Sequence, residues 1–149
     1  MSVSKKQDIK LEFKISNIDV VEKSFHLATL PEGNLPDTQF QLAINISVDK
    51  EHKQISSILQ VKVKLDKSNT VVASITVGCT FEIVNFDEVV INNGNSASIP
   101  DSIIETLNII TIGTTRGIMF NEFKGTWLHN SILPVIDPKS FKQEKAAIN

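Results

Sequence analysis

His26, His52 and His129 are the chain's only imidazoles, and Cys79 is its only thiol. A structural or catalytic zinc site gathers three or four such ligands, usually in short C-x-x-C or H-x-x-x-H pairs, and this sequence has none of those pairs. Asp87 and Glu88 are adjacent acids, but they sit in a polar stretch where neighbouring carboxylates are ordinarily solvated charge. There is no G-x-S-x-G elbow, Walker-type loop or G-x-G-x-x-G turn, so hydrolase, NTPase and dinucleotide chemistry lack their anchors. The expectation is a protein that is not an enzyme, with no metal and no cofactor. A single cysteine cannot close a disulfide within the chain, which suits a reducing cytoplasm, and Cys79 reads as a small buried residue.

Arg116 stands apart as the only arginine among 15 basic residues. Its planar guanidinium offers five donors in a fork that lysine cannot copy. Two structural readings are open: a surface charge near a helix end, or an ion pair or cap on backbone carbonyls.

These residues need a scaffold, and the chain is long enough for one. Its 149 residues make a single domain, residues 1–149, with residues 1–8 as a loose polar arm. At that length folding buries roughly two-thirds of the extended chain's surface. Charged residues are 21% and apolar residues 41%, which is globular composition. A net charge of -2 and a pI near 5.9 supply no general attraction to nucleic acid or an anionic membrane. Met1 to Lys10 contains no apolar leader core, and no run approaches the roughly 18 apolar residues of a membrane span, so a soluble, cytoplasmic protein is expected.

Ile9, Leu11, Phe13 and Ile15 alternate with Lys10, Glu12 and Lys14, the period of a half-buried strand. Asn17 breaks that alternation and Ile18, Val20 and Phe25 resume it, as a bulge would allow. Pro31, Gly33, Asn34 and Pro36 mark a loop between Ala28 and Asp37. Phe40 to Val48, Ile55 to Leu65 and Ala73 to Ile83 then alternate in turn, joined by short polar links. Four such strands predict an antiparallel meander or Greek key with one apolar face that needs a cover. Asp87 to Ser98 reads as an Asn- and Ser-rich loop. Pro100-Asp101 opens a helix in which Ile103, Ile104, Leu107 and Ile110 share a face, and Gly125 is a plausible stop after about Phe123. Trp127 to Pro138 is apolar yet carries Pro134 and Pro138, which favours a structured loop, and a short helix follows from Asp137 to about Lys145. The fold class is α+β: a four-stranded antiparallel sheet covered by a long helix and a short C-terminal helix.

The ordered set Thr114-Thr115-Arg116-Gly117, Gly125-Thr126-Trp127-Leu128, Ile132-Leu133-Pro134-Val135 and Asp137-Pro138-Lys139-Ser140-Phe141 resembles the last third of the SecB-like chaperone family. Upstream, Phe13-Lys14-Ile15 and Gly78 with Phe81-Glu82-Ile83 resemble that family's opening strand and a later strand ending. The resemblance runs over about residues 11 to 145. It implies a molecular chaperone, a holdase working without ATP on unfolded or pre-export polypeptides, assembled as a homotetramer that is a dimer of dimers. Long helices would meet at its inner interface. It also implies acids on the exposed sheet face for docking to the SecA motor. Two of those positions fall at Ser74 and His26 while Glu22 keeps an acid, which argues against that docking. A chaperone dedicated to one client such as an antitoxin, or an oligomeric assembly protein, are the alternative readings.

For client binding the expected wall is Trp127, Leu128, Ile132, Leu133, Val135 and Ile136, with Phe25, Leu27 and Leu30 opposite. The alternative for each is that it caps the core. Arg116, Gly117 and Gly125 are expected to be structural.

Overall fold

The structure is a computed structural model that describes residues 10–27, 36–94, 96–140 and 147–148. The expected arm, the loop residue Leu30 and Phe141 lie outside them. Four long strands, β1 (Phe13–Phe25), β2 (Thr38–Asp49), β3 (Gln54–Leu65) and β4 (Val71–Ile83), pair antiparallel in the order β1-β4-β3-β2. The last three form a meander, and β1 returns beside β4 to complete a Greek key. A short helix α1 (Phe86–Val89) and a hairpin of β5 (Ile91–Asn93) with β6 (Ser96–Ser98) occupy the stretch read from sequence as a plain loop. The long helix α2 (Asp101–Glu122) follows.

The alternation in sequence becomes two faces in space. Phe81, Ile55 and Val48 lie in one cross-strand row, Val77, Leu59 and Ile44 in another, and Cys79 stands beside Ser57 between them. All these belong to the face turned toward α2. β1 keeps the same facing because two irregularities, between Ile15 and Asn17 and between Val20 and Glu22, each insert one residue. The restart at Ile18 is thus a bulge that returns Ile18 and Val20 to the side of Ile15. Among the described residues the strand begins at Phe13, Leu11 packs against the core from outside the sheet, and Ile9 lies outside the described set.

α2 lays Ile103, Ile104, Leu107, Ile112 and Met119 onto β3 and β4. Three polar side chains lie buried in the same stripe. Thr111 and Thr115 donate to the carbonyls of Leu107 and Thr111 at 2.9 and 2.7 Å, which satisfies their hydroxyls within the helix. Asn108 instead accepts from the Ser57 hydroxyl at 3.0 Å, and this buried pair ties α2 to β3 at one register. Sliding the helix by a turn would leave an amide unpaired in the core.

The end of the chain departs from expectation. Among the described residues, the short helix expected from Asp137 is a single 3-10 turn, Pro138–Ser140, capped by Asp137, whose carboxylate accepts the Lys139 N–H at 2.9 Å. Residues 141–146 lie outside the described set. Ala147–Ile148 then form β7, a two-residue strand parallel to β2 opposite Ser47 and Val48.

The link between β2 and β3 carries a titrating pair. Asp49 accepts the His52 backbone N–H at 3.1 Å and lies 2.8 Å from its Nδ1. These bonds, the backbone one first, hold the Asp49 carboxyl below its ordinary range, and the side-chain bond to Asp49 raises His52 above the ordinary imidazole value. The His52 contribution is complete below the ordinary imidazole value and is lost as pH rises through the raised one. That of Asp49 is complete above the ordinary carboxylate range and is lost as pH falls through the lowered one, so the link is tightest at mildly acidic pH. Two outcomes follow. The His52 ring should titrate by NMR above the ordinary imidazole value and fall back in Asp49→Asn. In urea unfolding, Ser57→Ala should cost about 1–3 kcal/mol by stranding the Asn108 amide, and adding Asn108→Leu should return part of that loss.

Candidate functional site

Beyond α2 the chain doubles back across the sheet without regular structure, and its geometry comes from turns. Gly125 has φ 78°, a left-handed conformation that glycine adopts without strain. The Thr126 hydroxyl donates to the Phe123 carbonyl at 2.8 Å and accepts the Leu128 N–H at 3.1 Å, while the Ser131 N–H reaches the Leu128 carbonyl at 2.8 Å. Leu128 is 0% exposed and Leu133 1%, so two apolar anchors hold the ends of this loop in the core. Arg116 fixes the far end: its Nε donates to the Leu133 carbonyl at 2.7 Å and its Nη2 to the Pro134 carbonyl at 2.9 Å. Both bonds are charge-assisted and share one planar group, an arrangement that a lysine ammonium cannot reproduce.

Between this loop and the start of β2 lies an open cleft of about 430 Å³. Trp127, Asn130, Ser131 and Ile132 form one wall, and Pro36, Asp37, Thr38 and Phe40 form the other. The Thr38 and Ser131 hydroxyls, 3.1 Å apart, bridge the two. The indole N–H of Trp127 is shielded from solvent and has no acceptor among the described residues. The lining combines the aromatic and aliphatic side chains of Phe40, Trp127 and Ile132 with a larger polar share from Asp37, Thr38, Asn130 and Ser131.

The expected client wall is therefore divided. Trp127 and Ile132, the latter 53% exposed, line the cleft. Leu128 and Leu133 belong to the buried core and are sealed from water within the chain. Ile136 is half-buried against the core, and Val135 is 95% exposed outside the cleft. On the side expected to oppose them, Phe25 stacks edge-on against Phe123 at 5.8 Å and Leu27 packs on the core, while Leu30 lies outside the described residues. Gly117 is exposed on α2, and a Cβ there would meet nothing within 4 Å, so no contact inside the protomer demands a glycine. Phe40 and Thr38 went unnoticed as site residues because in sequence they are simply the first turns of a strand.

No family model and no curated protein matches the sequence. Among solved structures, the chain is similar to the SecB-like chaperone Rv1957 of Mycobacterium tuberculosis, determined in complex with a ChAD peptide from the HigA1 antitoxin. The TM-score is 0.54 over 83% of each chain, at 8% sequence identity. The chain has a SecB-like fold. That likeness is one of backbone arrangement, carried by the α+β layering of the four-stranded sheet and α2. Among the described residues, no helix is long and apolar enough to cross a membrane, and no three His, Cys, Asp or Glu side chains stand together as metal ligands would.

The loop anchors can be separated by substitution. Leu133→Ala should cost about 2–5 kcal/mol as a large-to-small core change, and Arg116→Lys about 1–3 kcal/mol through two lost charge-assisted bonds. Val135→Ser should stay within about 0.5 kcal/mol. Thermal or denaturant unfolding of the three variants checks the order.

Proposed function

We propose that the protein is a chaperone of the holdase kind, binding unfolded polypeptide in the cleft between β2 and the loop after α2, without ATP and without chemistry on its client. The observation that carries this reading is the cleft itself, a partly apolar opening walled by Phe40, Trp127 and Ile132 on a SecB-like fold. A neighbour of that fold was solved with a peptide from an antitoxin, which supports a polypeptide as the occupant and favours a dedicated client over a general pre-export one.

Self-association belongs to the same proposal. α2 covers β3 and β4 but leaves Ile15, Ile18 and Val20 on the inward side of β1 about half exposed. On α2 itself Ile109 and Phe120 face outward, with Gly113 and Gly117 exposed between them. Such apolar area on one side of a small domain fits burial against further copies, and a homotetramer built as a dimer of dimers is the assembly we propose. The outer sheet face differs in kind. It presents the acids Asp19, Glu22 and Glu82 together with Lys14, Lys62 and uncharged polar residues such as Asn17, Ser24, Ser74, Thr76 and Thr80, a mixed face rather than an acidic one. Docking to a SecA-type motor forms no part of the proposal, and a cytoplasmic location does.

Full burial of a large apolar side chain contributes roughly 1.5–3 kcal/mol, so a client that covers both Trp127 and Ile132 should lose at least tenfold in affinity when both become serine. The test is a calorimetric titration of reduced, carboxymethylated α-lactalbumin against wild type, Trp127→Ser/Ile132→Ser and the control Val135→Ser. Circular dichroism and light scattering of the same samples report folding and assembly. Weakening confined to the double variant supports the cleft; equal affinities in all three place any client elsewhere.

A further inference from the structure

α2 is a long helix with little local reason to be one. It contains no alanine and no lysine, and over residues 109–115 every residue but Gly113 is β-branched, a run whose intrinsic preference is for extended chain. Its ends are poorly supported as well. Asp101 suits the first turn, but Pro100 at the N-cap makes no side-chain bond, and the last turn holds the acid Glu122 with no basic residue, the wrong sign for that end of the helix. Glu122 pairs with Lys23 on β1, and among the described residues no ion pair joins two side chains of α2.

A helix of this kind is held by what packs on it, and only one side is packed. Toward the sheet, Leu107, Thr111, Ile112 and Thr115 are sealed. Away from it, Ser102, Thr106, Ile109, Gly113, Gly117 and Phe120 recur at spacings of three and four along one exposed stripe that carries no charge, unlike the solvated face of an ordinary surface helix. Ile109 is 53% exposed. The two glycines are not demanded by the protomer: a Cβ at Gly117 would meet nothing within 4 Å, and one at Gly113 only the Arg116 guanidinium at 4.0 Å. The β-branched run lies between fixed points, with Asn108 bonded to Ser57 before it and Arg116 bonded to the Leu133 and Pro134 carbonyls after it.

We infer that residues 109–115 form a conditional helix, completed by a second copy of this chain lying on the exposed stripe, so that assembly and the folding of this stretch are one equilibrium. In the separated protomer the stretch opens between its two fixed points while the sheet beneath stays intact. Covering Ile109, with a partner backbone close at the glycines, closes it. The inference rests on the self-association proposed above and adds what association does to the protomer.

The experiment pairs sedimentation velocity with amide hydrogen exchange, read by mass spectrometry at residues 111–117, over a concentration series of the full chain. Amides of β3 and β4 are the reference and should stay slow throughout. In the wild type, the amides of residues 111–117 should exchange at least tenfold faster in the separated protomer than in the assembly. Ile109→Glu puts a better helix former in place, so local preference alone predicts slower exchange, whereas loss of the cover should give a separated protomer with fast exchange at every concentration. Gly113→Ala/Gly117→Ala strengthens the helix itself and should keep exchange slow even when separated. Equal protection in separated and assembled wild type overturns the conditional helix and leaves self-association standing. A wild type that is monomeric at every concentration overturns both. Where the wild type never separates, Ile109→Glu decides: fast exchange confined to α2 in its protomer supports the inference. Slow exchange there, fast exchange shared with β3 and β4, or an assembly undisturbed by the new charge overturns it.

Discussion

A sheet of four strands is roughly 15–20 Å across, and a helix with its side chains covers roughly 10 Å. The apolar face of this sheet is therefore wider than α2, and most of what is distinctive in the molecule is a response to that mismatch. The helix takes the middle, over β3 and β4. Its C-terminal end reaches β1, where Glu122 meets Lys23 at 3.2 Å and Phe123 stacks on Phe25. The loop that follows must then recross toward β2. It does so on two leucine anchors and one arginine, because an irregular segment has no ladder of its own and each fixed point has to come from a side chain.

The regular parts of the fold were legible because their periods are. Strand alternation from Phe40 to Ile83 and the Ile103-Ile104-Leu107 spacing of α2 map directly onto the buried face. Legibility failed where there is no period. Between Trp127 and Ile136 apolar residues point alternately into the core and into water, and only the turn at Gly125 and the carbonyl bonds of Arg116 decide which is which. Nothing in the order Trp-Leu-His-Asn-Ser-Ile-Leu says that Leu128 is sealed while Ile132 is open. The hairpin of β5 and β6 did have a signal, Asn93-Gly94, with Gly94 at φ 68°. It was masked by flanks too polar to look like strands. The pairing of β7 with β2 joins positions about a hundred residues apart and leaves no local mark at all.

The cleft and the half-buried row of Phe40, Leu42, Ile44 and Ile46 on β2 share a cause. A cover assembled from one helix and one pinned loop closes most tightly over the central strands and least tightly at the sheet's margins, so the partly exposed apolar residues gather on β1 and β2. On the proposed reading, binding surface in this fold is what remains of an incompletely covered core. The cleft accordingly mixes the aliphatic and aromatic side chains of that margin with Asp37, Asn130 and the hydroxyls that serve loop geometry.

Cys79 sits at the centre of the best-covered region, on β4 beside Ser57 and with no exposed surface. As the sole thiol of the chain, it is a label placed where the helix and sheet layers meet. An alkylating reagent can reach it only when those layers part, whatever happens in the loop, the cleft or the sheet margins. Its modification rate is accordingly a clock for opening of the core alone, read on the natural sequence with no residue changed.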